Sequence, residues 1–145
     1  MIALGNDGRG YTLKQKIMEY LDKRGEAYVD FGSFDESPVD YPVYAGLAAE
    51  AVASGRCDRG ILICGSGIGM SIAANRFRQI RAALCRSAAD ARITRLHNDA
   101  NVLALGGDNL DEDAALEIVE AFLSTTFSNE ERHVRRVKML EDTEE

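Results

Sequence analysis

Cys64 is the residue of this chain whose position best suits chemistry, because it ends a short apolar run at 60–63. A loop rich in small residues follows the thiol directly: Gly65, Ser66, Gly67 and Gly69. If the run is a strand of a parallel sheet, the thiol lies at its carboxyl end, where ligands bind in open α/β folds. Glycines allow backbone N–H groups to face a ligand, and a following helix start favours the reactive thiolate. The segment predicts a base or nucleophile beside an anion-binding loop, or else an inert buried thiol.

Asp7 and Ser66 each have a chemical and a structural interpretation. Asp7 follows the apolar run at 2–5, so its carboxylate could act on a substrate or cap the next helix. Ser66 could begin a helix or donate a hydrogen bond to an oxyanion. Cys57 and Cys85 lack a glycine loop, and we interpret them as structural thiols.

Two further groups of candidate residues carry imidazole, amide or guanidinium side chains. His97 and Asn98 lie where a predicted helix ends, so they indicate either a site or a histidine that favours the helix dipole. Arg132 and Arg136 are four residues apart and share a helix face, with His133 beside them. That spacing is typical of a phosphate clamp or of a solvated face balanced by nearby glutamates.

Apolar runs alternate with amphipathic stretches along the whole chain, which predicts parallel strands joined by right-handed helical crossovers. The predicted strands are 2–5, 27–31, 60–63, 81–85 and 102–105. The predicted helices are 11–24, 41–53, 71–76, 88–97, 114–122 and one from about 128, opened by a capping box at 128–131. We therefore expect an α/β protein with a three-layer αβα, Rossmann-like fold and a five-stranded parallel sheet. Its strand ends should bring Asp7, Cys64, Cys85 and Asp108 to one edge.

Composition excludes several classes of function. The chain of 145 residues has the size of a single domain, 1–145, and its net charge of −7 argues against a nucleic-acid partner. No apolar run approaches the roughly 20 residues of a membrane span. The three cysteines form neither a CxxC pair nor a cluster with metal-ligand spacing, so we expect no metal. With no secretory signal pattern, they predict reduced thiols in the cytoplasm.

Six segments in order carry a family resemblance: 5–7, 39–42, 58–75, 80–84, 97–106 and 132–137. On these segments the chain resembles the ribose-5-phosphate isomerase B and galactose-6-phosphate isomerase family from end to end. The resemblance implies interconversion of aldose and ketose sugar phosphates without a metal or a cofactor. It also implies a homodimer or tetramer whose sites combine residues of two copies, with the helix from about 128 packing on the partner.

The resemblance implies roles for individual residues. Cys64 is similar to the base that moves a proton between C1 and C2, and Ser66, where the family usually has threonine, would stabilise the enediolate oxygen. His97 is similar to the acid/base that opens the sugar ring, and Asp7 to its helper. The implied substrate-binding residues are Gly65, Gly67, Gly69, Ser71, Asn98, Arg132, His133 and Arg136, of which His133 is the weaker candidate.

Two positions depart from the family pattern. Gly8 lies where the family usually has histidine, and Asp108 lies where it usually has an arginine. Both missing groups belong to the phosphate end of the family's site. We expect ribose 5-phosphate as the substrate, with another phosphosugar or an unphosphorylated sugar as the alternative. A non-catalytic sugar-phosphate-binding domain is a second alternative, and a thiol redox protein is a third, although Cys64 has no resolving cysteine nearby.

Overall fold

A computed structural model describes residues 1–143, and these form a parallel sheet of five strands with helices on both sides. The strands are β1 (Ile2–Asn6), β2 (Tyr28–Asp30), β3 (Arg59–Cys64), β4 (Ala82–Leu84) and β5 (Val102–Gly106). The helices are α1 (Tyr11–Arg24), α2 (Tyr41–Ala53), α3 (Ile68–Ala74), α4 (Ala88–Asn98), α5 (Glu112–Ser124) and α6 (Glu131–Asp142). A 3₁₀ turn at Gly8–Gly10 joins β1 to α1.

The strand order β2-β1-β3-β5-β4 places the three most apolar strands in the middle of the sheet. The order reverses direction between β1 and β3, and the carboxyl ends of strands at such a switch point are where open α/β sheets bind ligands. The register sets Asn6 beside Ile63 and Cys64 beside Gly106. The residues that follow β1, β3 and β5 therefore meet at one edge of the sheet, as predicted.

Strand alternation divides the core between two helix layers. Leu4, Ile61 and Leu103 share one apolar cluster with residues of α1, α4 and α5. Leu62 and Cys64 share the other cluster with residues of α2 and α3. This arrangement confirms the three-layer αβα prediction, and it directs the Cys64 side chain toward the α2–α3 layer.

Three helix ends have caps of the residue types that commonly form them. Gly25 ends α1 with a positive φ of 76°, a conformation that glycine adopts without steric cost. The Ser87 hydroxyl accepts a hydrogen bond from the Asp90 N–H at 3.1 Å. The Asp111 carboxylate accepts one from the Ala114 N–H at 2.7 Å. These caps fix where α4 and α5 begin.

The start of α3 differs from the prediction. The helix begins at Ile68, three residues before the predicted start at 71, because Gly67 makes the whole turn with φ of 79°. A Cβ added at Gly67 would lie 2.6 Å from a Leu84 methyl group, so only glycine fits this close turn. The loop between the thiol and the helix is consequently shorter than the sequence suggests.

The predicted capping box at 128–131 is wrong. Helix α6 begins at Glu131, and its cap residue Glu130 accepts no side-chain capping bond. The Ser128 hydroxyl instead accepts from the Glu130 N–H at 3.1 Å and lies 2.6 Å from His133 Nδ1. Ser128, which resembles a helix cap in sequence, thus bonds to the His133 side chain of α6 instead of capping the helix.

Candidate active site

A cavity of about 360 Å³ opens at the carboxyl edge of the sheet, and we call it the thiol cavity. Its lining residues are Asp7, Arg9, Tyr41, Cys64, Gly65, Ser66, Gly69, Asp108 and Asn109. Three strand ends and the start of α2 contribute to it, as expected for a ligand site of this fold class. The predicted residues Asp7, Cys64, Gly65, Ser66 and Gly69 are therefore together.

Cys64 differs from the other two cysteines in its surroundings. Its Sγ accepts a hydrogen bond from the Gly67 N–H at 3.2 Å, directly before α3. Cys57 and Cys85 are also buried, and neither lines the cavity. Burial raises the pKa of the Cys85 thiol to about 12, and it also raises the pKa of Cys57. Their thiols are therefore held in the unreactive protonated form.

Asp7 combines the two interpretations that the sequence left open. Its Oδ1 accepts a hydrogen bond from the Gly10 N–H at 3.0 Å, so the carboxylate caps the 3₁₀ turn. The same side chain lines the thiol cavity. Asn6 fixes the backbone beside it, since its Nδ2 donates to the Asp7 carbonyl at 2.8 Å. The cap orients Asp7 and leaves its second oxygen available to a ligand.

A buried lysine fixes the loop that covers this end of the sheet. Lys14 is fully buried, and its Nζ donates to Asp30 Oδ1 at 2.9 Å and to the Ser33 carbonyl. The Ser33 hydroxyl in turn accepts from Asn6 Nδ2 at 3.3 Å. Because a buried ammonium is costly without such partners, this network anchors the loop after β2 firmly to β1.

That loop explains Gly8. A Cβ added at Gly8 would lie 2.5 Å from the Glu36 carbonyl oxygen and 2.4 Å from that of Ser37. The loop therefore occupies the space that a side chain at position 8 would need. The neighbouring Arg9 reaches into the cavity in its place, where its Nη1 forms an ion pair with Asp108 at 2.6 Å.

Of the two predicted serines, Ser66 lines the thiol cavity and Ser71 does not. The Ser66 hydroxyl accepts from the Ile68 N–H at 3.2 Å and lines the cavity, so it can also donate to a ligand oxygen. Ser71 lies inside α3, where its N–H donates to the Gly67 carbonyl at 3.1 Å. The structure does not bring Ser71 into the lining of the cavity, and its substrate-binding role stays a prediction.

A second cavity of about 310 Å³ lies between α4 and α6, and we call it the histidine cavity. Its lining residues are His97, Asn98, His133, Arg136, Val137 and Leu140. The rings of His97 and His133 contact each other at a tilt of 33°, with centroids 4.5 Å apart. The second cavity thus collects four of the predicted site residues.

His133 is only 4% exposed, and both of its ring nitrogens have partners within the chain. Nδ1 lies 2.6 Å from the Ser128 hydroxyl, and Arg132 Nε donates to Nε2 at 3.4 Å. Burial, and then the neighbouring His97, lower the pKa of His133. This ring is therefore neutral near pH 7 and better placed to support His97 than to bind a substrate.

The two predicted arginines, Arg132 and Arg136, differ in whether they line the histidine cavity and whether they pair with a carboxylate. Arg136 lines the histidine cavity and has no carboxylate partner within residues 1–143. Arg132 lies outside the lining and pairs with Glu130 at 3.6 Å. Of the pair, Arg136 is the cation that is available to an anionic ligand.

The two cavities lie at opposite edges of the sheet. Cys64 pairs with Gly106 at the end of β5, whereas His97 and Asn98 precede the start of that strand at Val102. Four residue steps along a strand span about 13 Å. No residue of 1–143 lines both cavities. Within one chain, the thiol and the imidazole therefore belong to separate sites.

Sequence reasoning gave no role to Tyr41 and Asn109, which line the thiol cavity. Tyr41 is the first residue of α2, and a Cβ added at Gly69 would lie 2.7 Å from its ring. The resemblance covers the segment 39–42, but a tyrosine before a proline is ordinary at a helix start, so nothing in the sequence predicted this contact. Asn109 follows β5 in a turn, where asparagine is common for conformational reasons alone.

The described residues offer neither a metal-binding cluster nor a membrane-spanning helix. Residues 1–143 contain no group of three or more His, Cys, Asp or Glu side chains placed to bind a metal ion. Over the same range, no helix is long and apolar enough to cross a bilayer.

The sequence and the fold match proteins of one family. A family model for Ribose/Galactose Isomerase matches residues 2–140. Ribose-5-phosphate isomerase B of Escherichia coli (strain K12) is 44% identical over 139 residues, covering 96% of this chain and 93% of that protein. Galactose-6-phosphate isomerase subunit LacB of Clostridium acetobutylicum is 34% identical over 142 residues, covering 98% of this chain and 82% of that protein.

Solved structures agree with these relatives. Ribose-5-phosphate isomerase B of Clostridium thermocellum superposes with a TM-score of 0.96 at 48% identity, covering 98% of this chain and 95% of that one. The type B ribose 5-phosphate isomerase of Trypanosoma brucei superposes with a TM-score of 0.94 at 43% identity, covering 99% and 97%. This chain belongs to the ribose/galactose isomerase family.

Proposed function

We propose that this protein is an aldose–ketose isomerase that interconverts ribose 5-phosphate and ribulose 5-phosphate through an enediolate, without a metal or a cofactor. The observation that carries the proposal is the thiol cavity. It places a thiol, a carboxylate and a hydroxyl, from Cys64, Asp7 and Ser66, at the switch point of the sheet. Simple binding of a sugar phosphate needs no thiol there, which favours catalysis over a binding domain.

The proposed reaction is a proton transfer between neighbouring carbons. The Cys64 thiolate removes the proton from C2 of the open-chain aldose, and the negative charge moves onto the C1 oxygen. Ser66 and the N–H groups of the glycine loop donate to that oxygen. The thiol then returns the proton to C1, while the hydroxyl proton on O2 moves to O1. The product is the ketose, and the thiolate is regenerated.

Ring opening needs a second acid/base, and the described lining residues of the thiol cavity include no imidazole. We assign it to His97 of a second copy, assisted by Asp7, with Asn98 binding a sugar hydroxyl. Arg136 and Arg132 of that copy would bind the phosphate. An imidazole suits this step because it exchanges protons near neutral pH.

A second copy has an apolar surface available beside the thiol cavity. Helices α2 and α3 contribute Tyr41 and Gly69 to the cavity lining, and the same two helices expose four aliphatic side chains: Val43, Leu47, Ile68 and Ile72. Ile72 is 61% exposed, and clusters of this kind mark protein interfaces in soluble proteins. We therefore propose a homodimer, or a tetramer built from such dimers, in which α6 contributes to the partner's site. The three free thiols suit the reducing cytoplasm, where we expect the enzyme to act.

The experiment that tests this function measures conversion of D-ribose 5-phosphate to D-ribulose 5-phosphate by the purified protein. Cys64→Ala should lower kcat by about 10³-fold, since it removes the base. Cys85→Ala is the matched control and should retain activity. Exchange of the C1 hydrogen of ribulose 5-phosphate in D₂O reports enediolate formation directly, and it should also disappear in Cys64→Ala.

Equal activity of wild type and Cys64→Ala would exclude the thiol as the base. If the wild type is inactive on ribose 5-phosphate, the same assays with other phosphosugars and with free pentoses test the alternative substrates. Asp108 in the thiol cavity is the observation that favours those alternatives, because a carboxylate repels a phosphate.

A further inference from the structure

The ion pair between Arg9 and Asp108 lies directly beside the reactive thiol. The two residues are 99 positions apart and come from the loops after β1 and β5. A Cβ added at Gly65 would lie 2.9 Å from Asp108 Oδ2 and 3.0 Å from Arg9 Cδ. The pair therefore rests on the backbone of Gly65, the residue that follows Cys64.

Charge in the thiol cavity is unbalanced. Arg9 is the only cation among its described lining residues, and Asp7 and Asp108 both carry carboxylates. A phosphate that enters the cavity meets two negative charges, and Arg9, the single cation among the described lining residues, is already paired. The cationic contribution to phosphate binding on this side therefore depends on whether Arg9 can leave Asp108.

The two partners differ in how firmly they are held. The Asp108 N–H donates to the Gly65 carbonyl at 3.0 Å, and the Gly107 N–H donates to the Cys64 carbonyl at 2.8 Å. Asp108 is thereby fixed to the loop that carries the thiol. The Arg9 side chain is 73% exposed and contacts Asp108 through Nη1, so its other N–H groups remain available. Exposed ion pairs are weak, and guanidinium binds phosphate in a bidentate manner.

We propose that Asp108 competes with the phosphate of the substrate for Arg9, so that this ion pair sets the affinity of the thiol cavity for phosphorylated sugars. The proposal rests on the proposed function, because it takes a sugar phosphate as the substrate. Asp108 thus acts as a specificity-determining residue that weakens phosphate binding, and Arg9 acts as the phosphate contact from the thiol side of the site.

A double-mutant cycle tests the competition. Asp108→Asn should lower KM for ribose 5-phosphate about fivefold, with little change in kcat, because it releases Arg9. Arg9→Gln should raise KM about fivefold. In the Arg9→Gln background, Asp108→Asn should change KM less than about twofold, since no cation remains to be released. Glu112→Gln, an exposed substitution that removes the same charge on α5, is the matched control and should leave KM unchanged.

Three results would overturn the proposal. A full fivefold gain from Asp108→Asn in the Arg9→Gln background would show simple repulsion of the phosphate. An increase of KM in both single variants would show that the intact pair binds sugar hydroxyls. An unchanged KM in both single variants would show that the ion pair does not affect the affinity for the phosphorylated sugar.

Calorimetric titration separates a failure here from a failure of the proposed function. Inorganic phosphate should bind Asp108→Asn more tightly than wild type, and neutral D-ribose should bind both equally. These titrations need no turnover, so they decide the competition even if ribose 5-phosphate is not isomerised. A protein that isomerises ribose 5-phosphate but binds phosphate equally in both forms would refute only the competition.

Discussion

The thiol cavity and the histidine cavity are built on different principles. Backbone turns at the carboxyl ends of strands form the first, and its chemistry depends on glycines that bring N–H groups close to Cys64. Side chains of α4 and α6 form the second, around the tilted contact of the His97 and His133 rings. The first contains a candidate base whose neighbouring cation is paired, and the second contains an imidazole and Arg136, which has no carboxylate partner within residues 1–143. Each cavity has groups that the other lacks, which supports our proposal that two copies contribute them to one site.

Mixing two inactive variants is the strongest test of whether Cys64 and His97 act together across two copies. Cys64→Ala and His97→Ala homodimers should each lose about 10²-fold or more of their activity on ribose 5-phosphate. Heterodimers formed by co-expression should recover activity, because one of their two sites has both an intact thiol and an intact imidazole. With random pairing, the mixture should reach about a quarter of the wild-type rate.

Light scattering on each sample provides the control, since recovery requires dimers of native mass. A mixture in which Cys64→Ala is combined with itself in a differently tagged form must stay inactive. If verified heterodimers remain as inactive as the parents, the thiol and the imidazole do not act across two copies, and the assignment of His97 is wrong.

Variants of Arg136 and Arg135 test which arginine of α6 contacts the phosphate. Arg136 lines the histidine cavity, whereas Arg135 pairs with Glu131 at 3.5 Å and does not line it. Arg136→Ala should raise KM for ribose 5-phosphate about tenfold, the usual effect of losing a charge-assisted hydrogen bond. Arg135→Ala should leave KM within about twofold of the wild type, as expected for an exposed ion pair. Steady-state kinetics of both variants decide this, and similar KM values would remove Arg136 from the phosphate site.

The sequence predicted the thiol cavity better than the histidine cavity, for a physical reason. Cys64, Asp7 and Asp108 follow strands, and parallel strands bring their carboxyl ends to one edge whatever the details of packing. Alternating apolar runs are enough to establish that geometry. The same logic does not apply to His97 or His133, which lie on helices whose relative position depends on packing.

Other features depended on contacts that no local pattern reports. His133 contacts the His97 ring and also bonds to Ser128, and Ser128 resembles a helix cap in sequence. The pair of Arg9 with Asp108 joins residues far apart in the chain, so the sequence, in which Asp108 departs from a family pattern, did not show that the two side chains meet. The tight position of Gly8 under the loop after β2 was equally invisible, because it depends on backbone atoms of Glu36 and Ser37.

The smallest predicted effect concerns the buried ring of the histidine cavity. Burial lowers the pKa of His133 below its ordinary value of 6.5, so below that pH the unfolded chain binds a proton that the folded chain does not. The free energy of unfolding contributed by this group is therefore intact at neutral pH and falls as the pH drops below 6.5. His133→Phe retains an aromatic ring against His97 and cannot titrate. Urea unfolding between about pH 7 and pH 5 should show a shallower loss of stability in His133→Phe than in the wild type. Equal slopes would mean that His133 titrates alike in both states, and that its ring is not buried between α4 and α6 as the structure indicates.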